Sequence, residues 1–255
     1  MSRDIKLIRL IEELAANSWP AHIQQMIGTW RLRANMNVTR RANSVYTNGS
    51  FPEYGEWLDA IEAFYRRQSL SPCFCISEAS PIELEGILDS RGYRKIFECF
   101  AMIASCNQVL ERTIESDQFI CEFAGEASRE WIDDFMRLEG YSPDRYQGYH
   151  HIFSAITSPK AFVSLYDQGI LIALGTAVVE RGWAGLSNIV VDAEHRGKGA
   201  AIALLRSLAN WSLSHDADQF YLQVLKENAP ALSLYHKLGF TPLFEYHYRL
   251  LEENK

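Results

Sequence analysis

The stretch that most constrains this chain is "NIVVDAEHRGKGAAIALLRSLANW", Asn188–Trp211. An apolar run ends at Asp192, a basic and glycine-rich segment follows, and Ala201, Leu204, Leu205, Leu208 and Trp211 then recur at steps of three and four. This is a strand, a glycine loop and a helix in succession. The mouth of a helix offers unpaired backbone N–H groups and a partial positive charge. Glycines allow the main chain to approach a bulky anion with no Cβ in the way. Arg196, Gly197, Lys198 and Gly199 therefore suit a pyrophosphate on physical grounds. A Walker A loop requires Ser or Thr after the lysine, and Gly199 stands there. A dinucleotide fingerprint requires a third glycine, and Ile202 stands there. A plain glycine turn between strand and helix is the remaining bland reading.

The chain has 255 residues, enough for one large domain or two smaller ones. Hydrophobic residues make up 47% and charged residues 22%, so a sizeable core can form. A net charge of -7 argues against a nucleic-acid backbone as partner. The five cysteines, Cys73, Cys75, Cys99, Cys106 and Cys121, show no disulfide framework and no zinc spacing, so no metal is expected. No run reaches a membrane span and the charged N-terminus has no signal-peptide core, so a cytoplasmic location and no membrane partner are expected.

Asp4 to Ala16 reads as an amphipathic helix. "TWRLRA", "ANSVYT" and "CFCIS" read as strands. Helices are expected from Pro52 and Pro81, a long strand at "RKIFECFAMIAS", and a linker over residues 107–118. Downstream come a strand, two helices and a three-strand meander ending in "NIVVD". The glycine loop and its helix follow, then the strand "QFYLQV", a helix from Asn228 and a closing strand. "RGYRKIFECF" and "LGFTPLFEYH" share Gly, an aromatic and Phe-Glu at an offset of 147 residues, the separation of Gly92 and Gly239. This points to an internal duplication.

The chain resembles the GNAT acetyltransferase superfamily. Arg196, Gly199 and Ala201 match its Arg/Gln-x-x-Gly-x-Gly/Ala signature, and the strand "NIVVD" comes before it. Asn228, Ala231, Tyr235, Gly239 and Phe240 match its late element, Asn-x-x-Ala-x-x-x-Tyr-x-x-x-Gly-Phe. The match covers roughly residues 118–255, and "RLRANMNVTRRANSVY" is similar to the front half of tandem members. The resemblance implies an α/β (α+β) fold with a mixed, mostly antiparallel sheet flanked by helices. It implies a degenerate domain at 1–112 and a catalytic domain at 118–255.

It further implies acetyl-CoA as cosubstrate, and transfer of its acetyl group to the amine of a small molecule or peptide. The backbone of Ile189, Val190 and Val191 would bond the pantetheine arm. Arg196, Gly197, Lys198, Gly199, Ala200, Ala201 and Ile202 would hold the pyrophosphate. Asn228 would bond the arm, cap its helix, or both. Tyr235 would protonate the departing thiolate, or pack beneath its helix. Glu139, Tyr141, Tyr149, Glu180 and Trp183 are candidates for the acceptor side, with Asp144, Tyr146, His150 and His151 nearby. The 147-residue offset carries Tyr235 to Leu88, Asn228 to Pro81 and Arg196–Ala201 to residues 49–54, so the first half is expected to be chemically silent. Arg40 and Arg41 could bind an acidic group or decorate the surface. A homodimer is compatible with this reading. An acyl-CoA sensor without catalysis, and another kind of nucleotide-binding enzyme, are the rival readings.

Overall fold

The computed structural model describes residues 4–53 and 55–252. Tyr54, inside the helix pattern expected from Pro52, and residues 1–3 and 253–255, the outer ends of the two expected domains, lie outside the described residues. The chain divides into two compact units, one of Met1–Ala101, Leu225–Glu227 and Leu243–Lys255, the other of Met102–Val224 and Asn228–Pro242. These units cut across the contiguous spans 1–112 and 118–255, because the last strand belongs with the first unit and residues 102–112 belong with the second.

The first unit opens with helix α1 (Ile5–Asn17), whose N-terminus is capped by the Asp4 carboxylate accepting from the Lys6 and Leu7 N–H groups. Ile8, Ile11 and Leu14 turn inward, as the helical spacing requires. Strands β1 (Ile23–Ile27), β2 (Trp30–Ala34) and β3 (Val45–Tyr46) follow, then α2 (Trp57–Arg67), β4 (Cys73–Ser77), α3 (Leu84–Ser90) and the start of β5 (Arg94–Ser105). With the chain's last strand, β11 (Thr241–Leu250), the order is β1-β2-β3-β4-β11-β5. β3 runs parallel to β4, and β11 antiparallel to it. Trp30, Phe64, Tyr65, Phe74 and Tyr93 fill the core, with Trp30 edge-on to Trp57 at 5.1 Å. β1 was not expected from the sequence: its side chains are mostly exposed, so "IQQMI" carries no inward apolar face.

The second unit holds the end of β5, α4 (Cys106–Glu111), β6 (Phe119–Ala124), α5 (Arg129–Glu139), α6 (Tyr146–Ser154), β7 (Lys160–Asp167), β8 (Ile170–Glu180), β9 (Trp183–Val191), α7 (Ala200–Leu213), β10 (Gln219–Leu225) and α8 (Ala229–Lys237). The strand order is β6-β7-β8-β9-β10-β5. Neighbours from β6 to β9 are antiparallel, and β9 and β10 are parallel. The expected linker at 107–118 is helical at its start. Ser105 caps α4 by accepting from the Gln108 N–H, and Cys106 and Val109 are buried. The expected mixed, mostly antiparallel sheet with flanking helices is what the chain forms. Shifting β10 back by 147 residues lays it on 72–78 and shifting α8 lays it on 82–90, the places of β4 and α3.

Candidate functional site

β9 is paired on both sides only along its first part. Its parallel ladder with β10 runs from Trp183–Gln219 to Leu186–Leu222. β9 itself continues to Val191, held by β8 through Ser187–Thr176, Val190–Leu174 and Val191–Ala173. The register shifts between Leu174 and Thr176, and the extra residue is accommodated at Asn188, whose φ is +56°. Asn tolerates this left-handed region better than other side chains. Its Nδ2 donates to Thr176 Oγ1 at 2.9 Å. Beyond Leu186 the backbone of Ile189, Val190 and Val191 therefore has one edge clear of the β10 ladder, where an extended amide chain can add as a strand does.

This open edge leads to the glycine loop. Asp192 Oδ1 accepts from the Glu194 N–H at 2.9 Å and faces His195 Nδ1 at 3.2 Å, which holds the Asp192 carboxyl below its ordinary range. His195 is thus engaged in shaping the turn. Gly197 and Gly199 lie at φ +76° and +91°, where a side chain is strained, and a Cβ on either would meet nothing within 4 Å. Gly199 is the N-cap of α7 and no side chain caps this helix. The helical ladder begins with the Ala203 N–H donating to the Gly199 carbonyl at 3.0 Å, so the N–H groups of Ala200, Ala201 and Ile202 precede it. Arg196 donates through Nε to the Val191 carbonyl at 3.3 Å, and both Arg196 and Lys198 are exposed. Backbone donors, open space and flanking cations fit a pyrophosphate.

α8 starts where β10 ends. Asn228 caps it, its Oδ1 accepting from the Ala231 N–H at 3.2 Å, while its side-chain N–H groups meet no partner among the described residues. Tyr235 is 8% exposed and its ring packs at 5.5 Å from Phe240. Burial pushes its phenol up to about 12. Gly239 ends the helix at φ +94°, and a Cβ there would sit 2.6 Å from the Gln108 side chain. The Gly-Phe pair of the late element thus serves helix termination and packing.

The acceptor-side candidates fall in two stretches, the α5–α6 segment and the β8–β9 turn. Tyr141 and Tyr149 stack at 5.7 Å, but Tyr149 is 1% exposed, in a cluster with Phe135 and Phe153, and burial raises its phenol well above the usual range. Arg145 lies over the Tyr141 ring at 4.9 Å. Glu139 is exposed at the last position of α5, and Asp144 is exposed beyond it. Glu180 pairs with Trp183 at the opposite end of the β8–β9 ladder from the bulge, and it meets Arg181 at 3.2 Å. Five residues of strand separate Trp183 from Asn188, about 17 Å. His151 bonds Gln147 at 2.8 Å. Arg41 lies over the Trp19 ring at 3.9 Å and Arg40 donates to Asn37, so both arginines are used locally.

Asn188 is the residue that the sequence reading missed. Its signal is an asparagine directly before the β-branched run Ile189–Val191. Among the described residues no three His, Cys, Asp or Glu side chains are placed to hold a metal ion, and no helix is long and apolar enough to cross a membrane.

The model of the acetyltransferase (GNAT) family matches residues 125–240, and that described as the probable histone acetyltransferase Rv0428c C-terminal matches residues 6–88. An uncharacterized N-acetyltransferase of Bacillus subtilis (strain 168), YobR, is 49% identical over 243 residues, 95% of this chain and 98% of that protein. The fold is similar to a GCN5-related N-acetyltransferase from Kribbella flavida, with TM-score 0.71 and 13% identity over 98% of this chain and 96% of that one. It is also similar to a tandem GNAT protein from the clavulanic acid biosynthesis pathway, with TM-score 0.70 and 12% identity over 96% and 88% of the two chains. The signature on the α7 loop and the relative matched along 95% of this chain agree, and the chain belongs to the GNAT family of N-acetyltransferases, which makes it an acyltransferase.

Proposed function

We propose that the chain transfers an acetyl group from acetyl-CoA to a primary amine by direct attack, with residues 118–255 as the catalytic half and 1–112 as a silent one. The observation that carries this reading is the open edge of β9 running into the uncapped, glycine-lined tip of α7. Ile189, Val190 and Val191 would bond the pantetheine amides. The N–H groups from Gly197 to Ile202 would hold the pyrophosphate, with Arg196 and Lys198 adding charge. Asn228, already capping α8, would turn its free amide N–H groups to the arm. Acetyl-CoA supplies an activated acetyl group and a thiolate leaving group.

Tyr235 holds a proton at its phenolic oxygen. A phenol keeps that proton at neutral pH, as a general acid requires, and burial raises its pKa further, to about 12. The same dry surroundings raise the proton affinity of a thiolate, so donor and acceptor are lifted together. The incoming amine must be neutral, and a lysine-like amine has a pKa of about 10.4. Glu139, Tyr141, Tyr149, Glu180 and Trp183 would contribute to the acceptor side.

Steady-state kinetics on Tyr235→Phe test this reading. Turnover falls by about 10²- to 10⁴-fold, the range of general acid catalysis, while acetyl-CoA affinity stays within about threefold. Unchanged turnover removes the acid role. Acetyl-CoA binding with no thiol release for any amine favours a sensor instead.

A further inference from the structure

A cleft of about 300 Å³ opens on the first unit, lined among others by Arg9, Glu12, Met26, Arg31, Tyr46 and Asn48. Its size lies at the lower end for small-molecule sites. Glu12 sits on the inward face of α1, among Ile8, Ile11 and Ala15, and is 5% exposed. An apolar residue there would stabilise the fold, and a buried carboxyl costs free energy unless something pairs it. The Ser77 hydroxyl and the charge of Arg9 offset part of that cost, and burial still lifts the carboxyl to about 7. Tyr46, also buried, stands opposite Arg31 in the β2–β3 register. Arg31 Nη1 donates to Asn17 Oδ1 at 3.3 Å, which leaves its other donors for a ligand. Met26, 54% exposed, and Ala16 supply apolar surface.

Both signs of charge thus line one small cleft: the guanidinium groups of Arg9 and Arg31, and the carboxyl of Glu12, which Ser77 and Arg9 compensate only in part. A ligand that carries both an ammonium and a carboxylate complements both. We propose that this cleft binds a free α-amino acid, its ammonium at Glu12, its carboxylate at Arg9 and Arg31, and its side chain against Met26 and Ala16. The site stands apart from the acetyl-transfer reading and does not depend on it.

The test is calorimetric titration of the full chain with glycine, L-alanine and L-glutamine, and with ethylamine and propionate as single-charge analogues. At least one amino acid binds, and both analogues bind at least tenfold more weakly. Glu12→Gln, which keeps the shape of the side chain, weakens binding by about tenfold or more, as does Arg31→Gln on the cleft's other wall. Acetyl transfer by Glu12→Gln is unchanged. The proposal is overturned if no amino acid binds, if the analogues bind equally well, or if both variants bind as the parent does. Binding that survives Glu12→Gln but vanishes with Gly199→Val belongs to the transfer site, and overturns it too.

Discussion

In each unit a pair of parallel strands is followed by a loop and a helix, and the two pairs end differently. In the second unit, β9 and β10 part after Leu186 and Leu222, and β9 runs on to Val191. In the first unit, β3 and β4 pair at Val45–Phe74 and Tyr46–Cys75, and the chain beyond is laced shut. Thr47 Oγ1 donates to the Cys75 carbonyl at 3.0 Å and meets Ser80 Oγ at 2.6 Å, and the Gly49 N–H donates to the Ala79 carbonyl at 3.3 Å. The 147-residue offset carries Leu222 onto Cys75, so the lacing sits where the other unit opens. At the place of Tyr235 stands Leu88, fully buried. One architecture can present a strand edge to a ligand or spend that edge on itself, and a few polar side chains decide which.

The largest expected effect lies on the Tyr235–Leu88 difference. Beyond the loss of turnover in Tyr235→Phe, the phenol leaves a pH signature. An acid whose pKa is raised stays protonated until pH passes the raised value. With Tyr235 pushed up to about 12, its titration takes no activity away between pH 7 and 10. A parent alkaline limb near 10 that disappears in Tyr235→Phe would show a phenol titrating as an exposed group does.

Next come paired glycine changes. Gly199→Val strains a backbone at φ +91° and places branched carbon in the cradle, so acetyl-CoA affinity falls by roughly 100-fold. Gly49→Val also meets a positive φ, +98°, with Thr29 Oγ1 3.0 Å from the new Cβ. It lowers stability by about 1–3 kcal/mol and leaves acetyl-CoA affinity within about twofold. Equal losses of affinity in both variants would erase the distinction between the two loops. Smaller still, Thr47→Val removes the lacing hydroxyl and leaves the Cys75 carbonyl and Ser80 short of a partner. Unfolding stability drops by about 1–2 kcal/mol in urea titration, with turnover unchanged.

Much of this contrast was legible in the sequence. Gly197, Gly199 and the apolar spacing of α7 fix a strand, loop and helix by local physics alone, and "GSFPEY" in the matching place shows no such loop. The offset of 147 residues aligned β4 with β10 and α3 with α8 because each pairs a short apolar run with a following helix. The membership of β11 in the first unit was not legible, since strand alternation states which face is buried and not which neighbour is paired. The burial of Tyr149 was not legible for a related reason: an aromatic on a helix near a proposed site reads alike whether it lines a pocket or fills the core. The lacing by Thr47 and Ser80 joins residues 33 apart, and nothing local marks it.

Asn188 carries the smallest expected effect and bears on why the second ladder opens. Its φ of +56° allows the bulge, and its Nδ2 bond to Thr176 Oγ1 fixes the bend to β8. Asn188→Gly keeps the conformation and deletes the bond, so stability falls by about 1 kcal/mol and acetyl-CoA affinity changes by no more than about threefold. A loss near 100-fold would mean that the amide itself, and not the bend it permits, serves the ligand. A variant identical to the parent in both measures would leave the bulge to backbone geometry alone, and the difference between the two units would then rest on what Thr47 and Ser80 close and on what the second unit leaves unclosed.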